Sequence, residues 1–173
     1  MTVPTSIKQL YKKWAGESPI SITLLPPSGS YRSYYRMTSK DSSVLGAVNY
    51  DVRENIAFIE FSRFFESRGL RVPEILAVDD KKECYLLEDL GNQTLFDLLS
   101  TERHSLEIPD NITTFYKKSL EQLIQFQLKG RELDFSLCYP RASFDMQSMM
   151  WDLHYFKYYI LKLATIPFDE QLL

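Results

Sequence analysis

Apolar positions along this chain fall into short strand-like runs, concentrated before residue 88, and into helical stripes that take over after it. Ile7, Leu10, Tyr11 and Trp14 stand at i, i+3, i+4 and i+7, which predicts an amphipathic helix over 5–15, capped by Thr5 or Ser6 and packed on the outside of a sheet. ISITLL at 20–25 reads as a strand, and PPSGSY after it is a turn. YRSYYRM at 31–37 and VLGAVNY at 44–50, joined by TSKDSS, complete a meander of three antiparallel strands. A long helix follows over 54–68, with Ile56, Ala57, Phe58, Ile59, Phe61, Phe64 and Phe65 nearly all round it, so it is expected to be buried on more than one side. Gly69 stops it as a C′ residue. EILAV at 74–78 is a fourth strand, DDKK is a tight polar turn, and the apolar run at 84–87 is a fifth.

The stretch ECYLLEDLGNQTLFDLL at 83–99 organises the rest. A strand gives way to a short acidic link, Glu88, Asp89, Leu90 and Gly91, and then to a helix that Asn92 or Thr94 can cap. A strand that leaves its sheet in this way exposes backbone N–H and C=O groups between two packed bodies. Backbone groups supply direction and apolar walls supply area, a combination suited to a flat heterocycle such as adenine. Beyond the link, 111–129 reads as a helix capped by Asn111 and ended by Gly130, with Phe115, Leu120, Leu123, Ile124, Gln127 and Leu128 along one side. DFSLCYPRAS is loop, and 144–164 is an aromatic-dense helix. Strands first and helices second predict an α+β arrangement of two lobes, 1–90 and 91–173.

Composition narrows the function classes. At 45% hydrophobic and 25% charged residues, a packed core is expected and global disorder is not. A net charge of −3 with no basic block argues against nucleic acid as partner. Cys84 and Cys138 are far apart in apolar settings, form no metal-ligand pattern and suit a reducing compartment. The first residues lack the apolar core of a signal peptide, and no apolar run approaches the ~20 residues of a membrane span. The expected location is cytoplasmic.

Three stretches, SGSYRSYYRM at 28–37, GLRVPEILAVD at 69–79 and YLLEDLGNQTLFDLL at 85–99, carry a resemblance in their order and spacing. Together they resemble the aminoglycoside phosphotransferase and choline kinase group, which has the protein-kinase-like fold. Nearest in likeness are the bacterial kinases that phosphorylate N-acetylmuramate and N-acetylglucosamine at the anomeric position. The resemblance implies a kinase-like N-terminal lobe, a five-stranded antiparallel sheet with one long helix, followed by part of a helical C-terminal lobe. It also implies ATP and Mg²⁺ as cofactors and a sugar or other hydroxyl compound as acceptor.

Site residues follow from the same resemblance. Ser28, Gly29 and Ser30 match the turn that lies over the ATP phosphates, where small residues let backbone N–H groups approach anionic oxygens. The third strand should offer a lysine to the phosphates, and here it has none. Asn49 or Ala47 falls near that position, and Lys40 or Arg36 are the cations at hand. The helix after it should carry a glutamate, for which Glu54 follows Arg53 as in the family and Glu60 suits the spacing to Val72 and Pro73 better. Glu88, Asp89 and Leu90 match the adenine-binding link.

The group's catalytic loop is a His-x-Asp with an Asn five residues beyond the Asp, followed by a second, metal-binding Asp. Asp110 and Asn111 after His104 have the wrong spacing, and His154 is followed by Tyr155 and Phe156 inside a helical stretch, so neither histidine fits. In the resembled kinases that loop comes after the helix matched by WDLHYFKYYILKLA, and the expectation is a chain cut just before it. Two functions stay open. One is the nucleotide-binding portion of a small-molecule phosphotransferase, inactive by itself. The other is a non-catalytic, kinase-like interaction module. Phe144, Met149, Met150, Trp151, Phe156 and Tyr159 would then form an exposed apolar patch that favours self-association.

Overall fold

The structure, a computed structural model, describes residues 3–27, 29–102 and 108–169. Ser28 and His104 lie outside the described residues. The chain forms two compact units, Met1–Leu133 and Asp134–Leu173. Among the described residues the order is α1 (Thr5–Ala15), β1 (Ser21–Leu24), β2 (Ser33–Thr38), β3 (Ser43–Val48), α2 (Val52–Ser67), β4 (Ile75–Val78), β5 (Cys84–Glu88), α3 (Leu95–Glu102), α4 (Asp110–Lys129) and α5 (Met146–Phe156). The protein is α+β, with one five-stranded antiparallel sheet of order β1-β2-β3-β5-β4. The meander expected from the strand pattern is present, and β5 inserts between β3 and β4 with Ala47 opposite Tyr85 and Val44 opposite Glu88.

Alternation along the strands sorts the sheet into two apolar faces. Tyr35 and Met37 of β2, Val44 and Val48 of β3, and Cys84 and Leu86 of β5 turn toward α1, whose Ile7, Leu10 and Tyr11 are buried against them. Burying each such side chain contributes about 1.5–3 kcal/mol. Gly46 lies under this contact: a Cβ there would stand 2.7 Å from Ile7 Cγ1 and 3.1 Å from Met37 Sδ. The helix approaches this closely only because β3 carries no side chain at that point. On the other face Ala47, Tyr85 and Leu87 pack with Ile59 and Phe58 of α2. Phe65 of α2 meets Phe126 of α4 edge-on at 4.9 Å, so α2 uses two sides, as its all-round apolar pattern predicts.

Helix boundaries agree closely with the periodicity, but three end signals do not. Pro4, not Thr5 or Ser6, stands at the N-cap of α1, and no side chain caps it. Pro109 takes the same position in α4, which leaves Asn111 inside the first turn, where its amide bonds Glu102. In both cases the fixed φ of proline sets the entry to the helix, one or two residues before the polar candidates. The aromatic helix is shorter than expected. It starts at Met146, capped by Asp145 accepting from the Ser148 N–H at 3.0 Å, and loosens at Lys157–Leu161 into i→i+5 pairing, with the Lys162 N–H on the Lys157 carbonyl at 3.0 Å. Gly69, at φ +72°, ends α2 as expected, its N–H donating to the Glu66 carbonyl at 2.8 Å.

Within the second unit Arg141 bonds Asp145 and Gln147 and lies 5.0 Å over the Trp151 ring. Phe144, Met149, Trp151, Phe156 and Tyr159 are exposed, and Met150 is half-buried. On α4, Phe115, Leu120, Leu123, Ile124 and Leu128 are exposed as well. No described helix is long and apolar enough to cross a membrane.

Candidate functional site

Two polar clusters stand at opposite ends of β2 and β3. The first is built on the link that leaves β5. Asp89 turns its carboxylate inward, where it accepts from Arg36 Nε at 2.6 Å, Arg36 Nη2 at 2.9 Å, Ser43 Oγ at 2.6 Å and the Gly91 N–H at 3.0 Å. Arg36 spends its other donors on Asn92 Oδ1 at 2.6 Å and the Gly91 carbonyl at 3.3 Å. Burial works against the Asp89 charge, but the hydrogen bonds from Arg36, Ser43 and Gly91 outweigh it and hold the carboxyl below its ordinary pKa. Gly91 takes φ +87°, a left-handed turn that lets the chain fold back onto Arg36.

The clamp leaves the link's backbone open. The Glu88 N–H is paired with the Glu74 carbonyl at 3.0 Å, and the Val44–Glu88 pairing turns the Asp89 N–H toward β3, whereas among the described residues no partner is found for the N–H and C=O groups of Leu90. Leu90 itself is exposed, as is Glu88, whose carboxylate reaches only the Glu74 N–H at 3.4 Å. Thr94 then caps α3, its hydroxyl accepting from the Asp97 N–H at 3.0 Å while Asp97 accepts from the Thr94 N–H at 3.0 Å, a reciprocal capping box.

The second cluster lies where β3 runs into α2. Asp51 caps α2 by accepting from the Arg53 and Glu54 N–H groups, both at 3.2 Å. Glu54 is thereby fixed in the first turn, with one oxygen 2.8 Å from Arg32 Nη2 and the other 2.8 Å from Asn49 Nδ2. Asn49 is buried and each of its polar groups has a protein partner. Its N–H donates to the Glu83 carbonyl, its carbonyl accepts from Asn55, and its Oδ1 accepts from the Asp51 N–H. The Arg32 guanidinium lies 5.0 Å over the Phe58 ring, which stacks on Tyr85 at 5.4 Å. Burial opposes the Arg32 charge, and neighbouring Tyr85, Tyr34 and Glu54 more than offset it, so its pKa is raised. Burial likewise pushes the Tyr85 phenol well up. Arg32 Nε and the Tyr85 hydroxyl are buried with no hydrogen-bond partner among the described residues.

The sequence-predicted residues divide accordingly. Asn49 and Glu54 come together, and Arg36 and Asp89 come together at the link with Glu88 and Leu90 beside them. Gly29 and Ser30 are exposed, and the Ser30 hydroxyl accepts from the Arg32 N–H at 3.1 Å. Glu60 stands apart, exposed on α2 and paired at 3.5 Å with Arg63. Lys40 is exposed in the β2–β3 turn, at the link end of the strands. Arg32 is the residue that reading in one dimension missed. Its signal was its position, one residue beyond the small-residue turn and facing the strand site where a lysine was sought. Among the described residues no group of three or more His, Cys, Asp or Glu is placed to hold a metal ion.

A hollow of about 340 Å³ on the α1 side is lined by Ser6, Lys13, Asp79, Asp80, Lys81 and Glu83. The Asp79 carboxylate there accepts from the Cys84 N–H at 2.9 Å, so it serves the β4–β5 turn.

No family model matches the chain. It is similar to the N-acetylmuramate/N-acetylglucosamine kinase of Pseudomonas aeruginosa, with 29% identity over 115 residues, which is 66% of this chain and 32% of that protein. The matched part thus spans about a third of the length of its curated relative. This distant, partial similarity supports a kinase-like relationship.

Proposed function

We propose that this chain is the nucleotide-binding portion of an ATP-dependent phosphotransferase whose acceptor is a hydroxyl of an amino sugar. Residues 1–90 are its kinase-like N-terminal lobe, and its setting is cytoplasmic. The observation that carries the reading is the link after β5. Leu90 offers unpaired backbone N–H and C=O groups, and the Arg36–Asp89 clamp beside it fixes the link in place. A purine edge needs one acceptor and one donor at fixed spacing, and an ordered extended backbone provides both. The similarity to an amino-sugar kinase favours ATP as donor and a sugar as acceptor.

The described residues do not fit a Mg²⁺ site, since no set of carboxylates converges. No His-x-Asp loop occurs in the 173 residues. The role assigned to this chain is therefore binding and orientation of the nucleotide, and the purified chain is expected not to transfer phosphate by itself. The test is a titration with adenosine followed by amide resonances. Adenosine is expected to shift the Asp89 and Leu90 amides first. Millimolar adenosine that leaves both unmoved would overturn the proposal and favour a non-catalytic interaction module.

A further inference from the structure

We propose that Arg32, held by Glu54 and Phe58, is the cation that receives the phosphate groups of the bound nucleotide. The inference rests on the nucleotide-binding reading above and extends it to a second point of contact.

Of the two cations weighed from the sequence, one is committed and the other misplaced. Arg36 directs its donors to Asp89, Asn92 and Gly91. Lys40 sits in the turn at the link end of the strands. Arg32 stands at the other end, two residues after Ser30, and its own N–H is tied to Ser30 Oγ. Residues 32, 34 and 36 are in phase along the extended chain that enters and follows β2, so Arg32 is separated from the clamped link by about 14 Å of extended chain. That span is comparable with the reach of a nucleoside diphosphate laid along the strand. Between the two ends, Tyr34 and Leu45 lie half-buried on this face, above the buried Ala47.

The geometry at Arg32 suits an oxyanion. Its side chain is 9% exposed, one edge is bonded to Glu54, and its Nε has no acceptor among the described residues. Stacking on Phe58 fixes the plane of the guanidinium, so a phosphate oxygen meets a pre-set fork rather than a mobile chain. Glu54 and Asn49 position this fork and do not themselves touch the nucleotide in this proposal. An arginine just before β2 thus takes the task for which the end of β3 offers only Asn49.

Calorimetric titrations with adenosine and with ADP, on the wild-type chain, Arg32→Gln and Arg32→Lys, test this. The wild type is expected to bind ADP more tightly than adenosine. In Arg32→Gln the advantage of ADP should fall by about tenfold to a hundredfold, the size of hydrogen bonds to charged groups, with adenosine affinity unchanged. Arg32→Lys should retain part of the advantage, because the charge stays and the fork is lost. Should Arg32→Gln fail to fold, the Nε–H resonance of Arg32 in the wild type supplies the reading, shifting with ADP and not with adenosine. If adenosine binds and ADP binds no better, or Arg32→Gln keeps the ADP advantage, or the Nε–H is unmoved by bound ADP, the proposal for Arg32 fails while the link reading stands. If neither ligand binds, both fail together.

Discussion

Replacing Asp89 by asparagine keeps the shape of the clamp and removes its charge. In the native protein two of the four hydrogen bonds to this carboxylate come from Arg36, and the pair is 19% and 4% exposed on its two side chains. Fully exposed ion pairs contribute about 0–1 kcal/mol. Breaking a fully buried one costs about 3–5 kcal/mol, because the surviving charge is left without a partner. The clamp lies between these limits, and Arg36 would keep Asn92 Oδ1 and the Gly91 carbonyl as acceptors. The expected loss is therefore about 2–3 kcal/mol, or about 6–12 °C in melting temperature for a unit of this size. Urea and thermal denaturation of Asp89→Asn, Arg36→Met and the double variant, followed by circular dichroism, give the coupling between the two residues, expected at about 2 kcal/mol. A single-variant loss under about 0.5 kcal/mol, or no coupling, would refute the view that this pair holds the link. Acid should act in the same direction. The Asp89 pKa is lower in the folded protein than in the unfolded chain. Its stabilising contribution is thus present above the unfolded value of about 4 and lost as pH falls through the folded one, and the loss should be absent from Asp89→Asn.

Gly46→Ala places a Cβ 2.7 Å from Ile7 Cγ1 and should destabilise by about 1–3 kcal/mol, with part of the loss recovered by Ile7→Val; an unchanged denaturation midpoint would show that α1 can move aside. The Cys84 thiol, fully buried and pushed up to about 11 by that burial and by Asp79, should resist a thiol reagent at pH 8 until the protein unfolds, whereas half-buried Cys138 reacts first; rapid labelling of Cys84 in the native protein would contradict the packing of α1. Thr94→Ala removes one half of the capping box and should cost about 1 kcal/mol, seen as faster amide exchange in α3. Exposed aromatic side chains of the second unit, including Trp151 and Tyr159, are expected to drive self-association, and light scattering that reads a monomer at high micromolar concentration would count against it.

The sequence alone determined the elements and much of their order. Period-two alternation in β2 and β3 sorts Met37 and Val44 from Leu45 and Ala47, and the structure sends the two sets to opposite helices. The link at 88–91 was legible because an apolar run stops at two acids and a glycine. What the sequence left undecided was partnership, because hydrogen-bonding geometry has no one-dimensional signature. Arg32 and Arg36 are four residues apart on one strand and read alike, yet one meets Glu54 and the other Asp89. Glu54 and Glu60 were alternatives until the Asp51 cap fixed Glu54 against Asn49, while the turn of α2 carried Glu60 out to Arg63. The insertion of β5 between β3 and β4 belongs to tertiary structure as well. Only that pairing delivers the end of β5 beside Val44 and the neighbouring Ser43, and so brings Asp89 within reach of a hydroxyl and an arginine far from it in the chain.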